Sequence, residues 1–406
     1  MATATACCGA RIVSSSSTSS VARSNGDGSR VVQFVAAASN LHFGYDATST
    51  FSVSLKSGAL SSLRPRIPSV KSEVQRSRLR VDAAAASQTK DASKVQTKQW
   101  TWTFEGTPIK INLVEYLPNG SSPTKTLVML PTISDVSTTE EWHAVAERLQ
   151  SKSSTSYRIV CVDFPGLGLS DRPGIDYTAD LYEKFLVDII SEKDGPICPS
   201  SGGPPVIVGG GHSATIAARA ISRGLLEASA LALVAPTWAG PLPIVFGREP
   251  NMETRYSLLR NTLRSPGVGW AMYKYLVSSP KNIRLQYLTH VYADADNVTP
   301  SMVESRTALT QMEGARFAPT AFLTGLLDPT KSREEFIGLF ANMEGKLPTL
   351  VVSSVKSPKR SRAEMEALEG VKGVTKFVKV PGALLPQEEY PDAVYDELVS
   401  FLQSEQ

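Results

Sequence analysis

No run of apolar residues in this chain approaches the roughly 18 that a membrane-crossing helix requires, which points to a soluble or peripheral protein. Cysteine is scarce. Cys7 and Cys8 stand at the very start, while Cys161 and Cys198 lie apart at no spacing that suits a metal site, a redox pair or a disulfide framework. No metal and no other cofactor is therefore expected. Histidine is equally rare, with His42, His143, His212 and His290 and none beyond. The last stretch of the chain thus has no imidazole to serve as a base.

Acid is nearly missing from the first 80 residues, where ten basic side chains between Arg11 and Arg80 face only Asp27, Asp46 and Glu73. That segment carries +7, and because the whole chain carries +3 the remainder stands at −4. The basic balance belongs to the leader, so nucleic acid is excluded as a partner of the rest. Rich in Ser and Arg and lacking one compact apolar stretch, residues 1–83 read as a plastid transit peptide without fixed structure, cut near Arg78–Ala83. A disordered regulatory tail is the other reading of that composition. Residues 84–98 follow as a linker. The expected location is the chloroplast, in the stroma or peripheral at envelope or thylakoid.

Beyond Gln99 short apolar runs alternate with helical patterns. Strands are expected at Trp100–Phe104, Ile109–Tyr116, Thr126–Leu130, Tyr157–Asp163, Pro205–Val208, Ala230–Val234, Thr349–Ser353 and Thr375–Val380. Asn119-Gly120 marks a turn. Ser137 with Glu140 has the spacing of a capping box opening a helix through Leu149. Further helices are expected from Thr178, from about Ala214 and from near Pro391. Strand–helix alternation on this scale implies a mostly parallel sheet with helices on both faces. It stops between Thr237 and about Glu344, a helical, aromatic insertion that reads as a cap over the sheet edge.

Val206-Ile207-Val208-Gly209-Gly210-Gly211-His212-Ser213-Ala214-Thr215 reads as strand, tight turn and helix start. A serine on such a turn is thrust out at the top of the sheet, with the following backbone N–H aimed at a developing oxyanion. Ser213 is thus the candidate nucleophile and the Ala214 amide a candidate oxyanion donor.

These residues, with three other segments, resemble the α/β-hydrolase superfamily over about residues 100–404. Asp163-Phe164-Pro165-Gly166-Leu167-Gly168-Leu169-Ser170-Asp171-Arg172-Pro173 looks like the family's D-x-P-G-x-G-x-S-x-x-P loop. Pro381-Gly382-Ala383, followed by Pro386-Gln387-Glu388-Glu389, is similar to its C-terminal G-A-G-H-x-P-x-E-E segment. Thr237-Trp238-Ala239-Gly240-Pro241-Leu242-Pro243 resembles plant and cyanobacterial members. The resemblance implies an α/β-hydrolase fold with core parts at 99–236 and 346–406 and a helical cap at 237–345. It also implies a serine ester hydrolase of esterase or lipase type, for which a plastid offers acyl-lipid and prenyl or phytyl esters.

The family pattern breaks in three places. Leu384 stands where the family has its histidine base. Ser357-Pro358 stands at the acid position, amid Lys356, Lys359, Arg360 and Arg362. Pro131-Thr132-Ile133 replaces the His-Gly of the oxyanion loop, leaving the Ile133 amide as the second candidate donor. His290 in the cap and His212 beside the serine are the candidate substitute bases, and Trp238, Pro131 and Thr132 the candidate pocket lining. Two functions remain open: an ester hydrolase acting through Ser213, or a catalytically silent member that keeps the pocket for an apolar plastid ligand or a partner enzyme. The partners expected are a small apolar or ester ligand and, at most, peripheral contact with a membrane.

Overall fold

The computed structural model describes residues 94–118, 123–153, 155–192, 195–197 and 203–404. The transit-peptide reading, most of the linker, the Asn119-Gly120 turn and Cys198 lie outside these residues.

Eight strands form one sheet in the order β1-β2-β4-β3-β5-β6-β7-β8. They are β1 (Lys94–Phe104), β2 (Thr107–Leu117), β3 (Lys125–Leu130), β4 (Tyr157–Val162), β5 (Val206–Gly210), β6 (Ala230–Val234), β7 (Thr349–Ser354) and β8 (Lys376–Val380). β2 runs antiparallel to β1 and β4, and every other pairing is parallel. The first hairpin closes on Glu105 and Gly106, both with positive φ (47° and 79°), the two-residue turn that matches strand twist. β1 begins at Lys94, inside the stretch expected to be linker, because its first residues pair with the far end of β2.

Alternation along the parallel strands divides the core into two layers. Val128, Leu130, Val160, Val162, Ile207, Leu231, Leu233 and Val351 face one side, with Leu127, Met129, Ile159, Cys161, Val208, Ala232 and Val352 on the other. That period of two is the strand geometry itself, and burial on both faces explains why the strands read as unbroken apolar runs. The first layer is covered by α2 (Ala179–Ser191) and α3 (Gly211–Ser222). The second is covered by α1 (His143–Lys152) and the C-terminal helix Pro391–Ser404.

Between β6 and β7 lie α4 (Pro241–Phe246), α5 (Pro250–Arg264), α6 (Val268–Met272), α7 (Pro280–Gln286), α8 (Pro300–Thr310), α9 (Phe317–Leu323) and α10 (Arg333–Ala341). The insertion is not all lid, since α10 sinks Phe336 and Phe340 into the sheet core. The rest has its own small clusters, one around Tyr256, Leu259 and Leu263 and another around Ile283, Tyr287 and Tyr292.

Two local expectations are corrected. Helix α1 is preceded by a 3-10 turn at Thr139–Trp142, and no capping box forms. The Ser137 hydroxyl is already engaged with those of Thr132 and Ser134. Helix α3 starts at Gly211 rather than Ala214.

The glycine-rich loop after β4 is built around Asp163, whose buried carboxylate accepts from Asn112 Nδ2 (2.8 Å), Thr139 N (2.9 Å) and Leu169 N (3.0 Å). Gly168, at φ +52°, passes so close that a Cβ there would overlap that carboxylate. Ser170 Oγ donates to Asp163 O (2.9 Å) and accepts from Asn112 N (3.0 Å), so the loop's aspartate, glycine and serine are explained by its own closure.

A comparable approach sets the geometry of β5 and α3, where a Cβ on Gly209 would lie 2.7 Å from Ala214 Cα. Gly209→Ala is expected to cost about 1–3 kcal/mol through overpacking. Urea unfolding measures this, and an unchanged midpoint would contradict the close contact.

Candidate active site

The loops that leave the C-terminal ends of β3, β5, β6 and β8 converge under the cap, where open parallel sheets place their ligand sites. They enclose a cavity of about 300 Å³ lined by Thr132, Ile133, Gly211, His212, Ala235 and Thr237 at the sheet edge. Leu384 and Leu385 follow β8, and Leu259, Leu263, Leu323, Asn282 and His290 come from the cap.

The turn between β5 and α3 rises into this cavity, and its apex is Gly211. That residue has φ +54°, the left-handed conformation that glycine adopts without strain. A Cβ on it would point between Thr132 Cγ2 (3.3 Å) and Thr237 Oγ1 (3.6 Å), toward the cavity.

Ser213 stands elsewhere. It lies in the first turn of α3, fully buried and absent from the cavity wall. Its hydroxyl donates to Gly210 O at 2.8 Å, with Leu130 O at 3.2 Å as a further acceptor. Placing Ser213 at the exposed tip is therefore corrected: the tip falls two residues earlier. The amide after the tip belongs to His212, not Ala214, whose backbone packs against Gly209.

The other expected residues divide. Thr132 and Ile133 line the cavity, and Thr132 is held by the buried Glu141 through its amide (2.8 Å) and hydroxyl (2.9 Å). Pro131 is buried behind them and Trp238 turns away, its indole N–H donating to Glu364 and its ring facing Phe336. Both are corrected as lining residues. His290 lines the cavity from the cap with Nδ1 3.0 Å from Thr289 Oγ1. The Ser213 hydroxyl is thus engaged with backbone oxygens, and the two ring nitrogens of His212 face Thr237 and Asp328 instead.

His212 is almost fully buried and forms a chain across the cavity wall. Its Nδ1 is 2.6 Å from Thr237 Oγ1, and its Nε2 is 3.4 Å from Asp328 Oδ1. Asp328 also accepts from Gly240 N (2.9 Å) and pairs with Arg248. With Nε2–H facing the carboxylate, Nδ1 accepts from the threonine hydroxyl. This chain ties the apex turn to the root of the cap.

Three carboxyls have raised proton affinity, Asp163 and Glu141 buried and Asp135 half-buried. Of these only Asp163 stood in a sequence motif, and Asp135 and Glu141 have no recognisable spacing. Burial raises Asp163 to about 6. Burial, aided by nearby Glu388, raises Glu141 to about 7. Asp135 lines the cavity, and burial lifts it from 3.8 to about 6; its Oδ2 has no hydrogen-bond partner. A carboxyl whose folded pKa is raised binds its proton more tightly in the folded state. Ionised Asp135 therefore weakens the fold at pH 8, and the weakening disappears as pH falls through about 6 toward 4. The shift corresponds to about 2–3 kcal/mol. Asp135→Asn is expected to reduce the stability gain between pH 8 and pH 4.5 by about 2 kcal/mol, measured by denaturant unfolding at each pH. An unchanged pH dependence would contradict it.

The model of the Alpha/beta hydrolase family matches residues 127–397. A thermophilic esterase from Thermogutta terrifontis is similar at 17% identity and TM-score 0.53, over 76% of this chain and 99% of that one. The haloalkane dehalogenase DatA from Agrobacterium tumefaciens C58 is similar at 17% identity and TM-score 0.52, over 76% and 97%. The Cif epoxide hydrolase from Acinetobacter nosocomialis gives 17% and 0.52, over 84% and 100%. At such identities the likeness is one of fold, and the three named activities differ. No curated protein matches the sequence. The family match spans most of the described sheet and its insertion, and the chain belongs to the α/β hydrolase family.

Proposed function

We propose that this protein is a catalytically silent α/β hydrolase that holds a small apolar molecule beneath its cap. One observation carries the reading: the apex of the turn that presents a nucleophile is Gly211, which has no side chain. The other two catalytic positions agree with it. Leu384, at the base position, lines the cavity, and its amide donates to Val291 O at 3.0 Å. Ser357, at the acid position, is buried and its hydroxyl donates to Ala383 O at 3.0 Å. Nucleophile, base and acid are thus replaced by groups that pack or close local hydrogen bonds. Losing such groups costs a serine hydrolase on the order of a millionfold in turnover.

The cavity favours an apolar guest. Its wall is mostly aliphatic, and its size falls at the lower end of the roughly 300–1,000 Å³ of small-molecule sites. Asp135, held there at a cost to stability, supplies a polar point against which a guest can be oriented.

A second reading rests on the Thr237–His212–Asp328 chain. The Thr237 hydroxyl lies near the space that a side chain on Gly211 would enter. A hydroxyl, an imidazole and a carboxylate in series have the composition of an ester-cleaving group. Ser213 has no part in it. Asp328, already neutralised by Arg248, is poorly placed to support an imidazolium, which is why the silent reading is preferred.

The test uses a short-chain ester panel, a fluorophosphonate and the neutral fluorophore N-phenyl-1-naphthylamine. Wild type, Ser213→Ala and Thr237→Val are expected to show neither turnover nor covalent labelling, while the fluorophore binds the wild type. Ala239→Trp, which fills the cavity, should weaken that binding about tenfold, equivalent to some 1.4 kcal/mol of lost burial. Turnover abolished by Thr237→Val would establish the second reading, and turnover abolished by Ser213→Ala would overturn the site geometry. We also infer from its composition that the leader directs the chain to plastids. A fusion of residues 1–83 to a fluorescent protein should accumulate there, and cytosolic or mitochondrial fluorescence would contradict this.

A further inference from the structure

The cap has one face whose composition the cavity does not explain. Between Glu253 and Asp294 the sequence contains Arg255, Arg260, Arg264, Lys274, Lys281 and Arg284 and no acidic residue. Arg264 pairs with Asp176, whereas Arg255, Lys281 and Arg284 are exposed. Among the described residues, the same stretch holds five of the nine exposed large hydrophobic side chains: Leu258, Val268, Trp270, Tyr275 and Leu285. Val268 is 63% and Tyr275 69% exposed, and Trp270 is 49% exposed. Soluble surfaces usually scatter such residues singly, and their concentration marks an interaction site.

The chemistry selects among partners. Trp and Tyr are the residues enriched where a bilayer meets water, their rings apolar and their edges polar. Here Lys274 Nζ sits 4.7 Å from the Trp270 ring centre, keeping a cation beside the aromatic group. Exposed aromatic and aliphatic side chains beside the exposed cations Arg255, Lys281 and Arg284 form the surface that inserts shallowly into an anionic leaflet. A protein partner of matching charge would require a strongly acidic apolar patch. A membrane supplies both properties at once.

Position ties this face to the cavity. Leu285, 42% exposed on α7, also lines the cavity with its neighbours Asn282 and Gln286. It lies on the same short helix as Lys281 and Arg284. We propose that the α5–α7 face of the cap docks on an anionic lipid bilayer, with Trp270 and Tyr275 in the interface and the cavity mouth turned toward the lipid. An apolar guest would then pass between bilayer and cavity without crossing water. The docking holds whether the cavity is silent or catalytic.

Flotation of the full chain with vesicles of phosphatidylcholine alone, or mixed with phosphatidylglycerol, tests it. Because the basic leader can itself attract anionic vesicles, a readout confined to the cap is also needed: quenching of tryptophan fluorescence by brominated phosphatidylcholine in the mixed vesicles. The expected results are flotation with anionic vesicles that weakens with salt, and quenching that disappears in Trp270→Phe. Trp270→Ser with Tyr275→Ser, and separately Lys281→Glu with Arg284→Glu, should each weaken binding at least about tenfold with the thermal midpoint unchanged, since these side chains are exposed. Flotation unaffected by both double variants, quenching that persists in Trp270→Phe, or no flotation at all would overturn the proposal.

Discussion

A Cβ on residue 209 would sit 2.7 Å from Ala214 Cα, so strand β5 can hand over to helix α3 only through glycine at this crossing. The close approach forces the chain to reverse within two residues. It sets the reversal at Gly211, in the left-handed region, and draws His212, Ser213 and Ala214 into the first helical turn. What reaches the cavity, what is buried and what the site can do all follow from where that apex falls. A register two residues later would have presented a serine. The register observed presents a gap flanked by Thr132 and Thr237.

Much of the architecture was legible in the sequence because burial on both faces leaves an unmistakable apolar run, as in Leu127–Leu130 and Ile159–Val162. The loop at Asp163 was legible too, although its residues turn out to serve their own closure. The apex was not, for a specific reason. A small-x-residue-x-small spacing fits both Gly209-Gly210-Gly211-His212-Ser213 and Gly211-His212-Ser213-Ala214-Thr215, and the serine draws attention to the second. Only the steric contact of Gly209 with Ala214 decides between them, and that contact joins two elements in space. Trp238 shows the same limit: its position beside the cap root was readable, but its direction is set by Glu364 and Phe336, far along the chain. Asp135 and Glu141 carried no motif at all, and burial gives them their unusual proton affinity.

The site retains costly features that packing alone would not favour. His212 and Asp328 are buried and bonded to each other, to Thr237 and to Arg248, a network that is sensitive to the loss of any one member. Asp135 faces the cavity with an unpaired oxygen. On the opposite side of the cap root, Arg306 is buried between Glu140 and Glu388, so polar bonds fasten cap to core on two sides. A cap secured in this way over an apolar chamber is suited to holding a guest. The aromatic, cationic face of its outer helices is suited to finding one.

Thiol accessibility at two positions tests the placement of the apex most directly. Gly211→Cys and Ser213→Cys are treated under native conditions with a small neutral maleimide, and the modified peptides are mapped by mass spectrometry to separate them from the native cysteines. A thiol at position 211 should react and, once modified, block uptake of a fluorescent apolar probe, while a thiol at position 213 should remain protected until the protein unfolds. Rapid modification at 213 with protection at 211 would contradict the account.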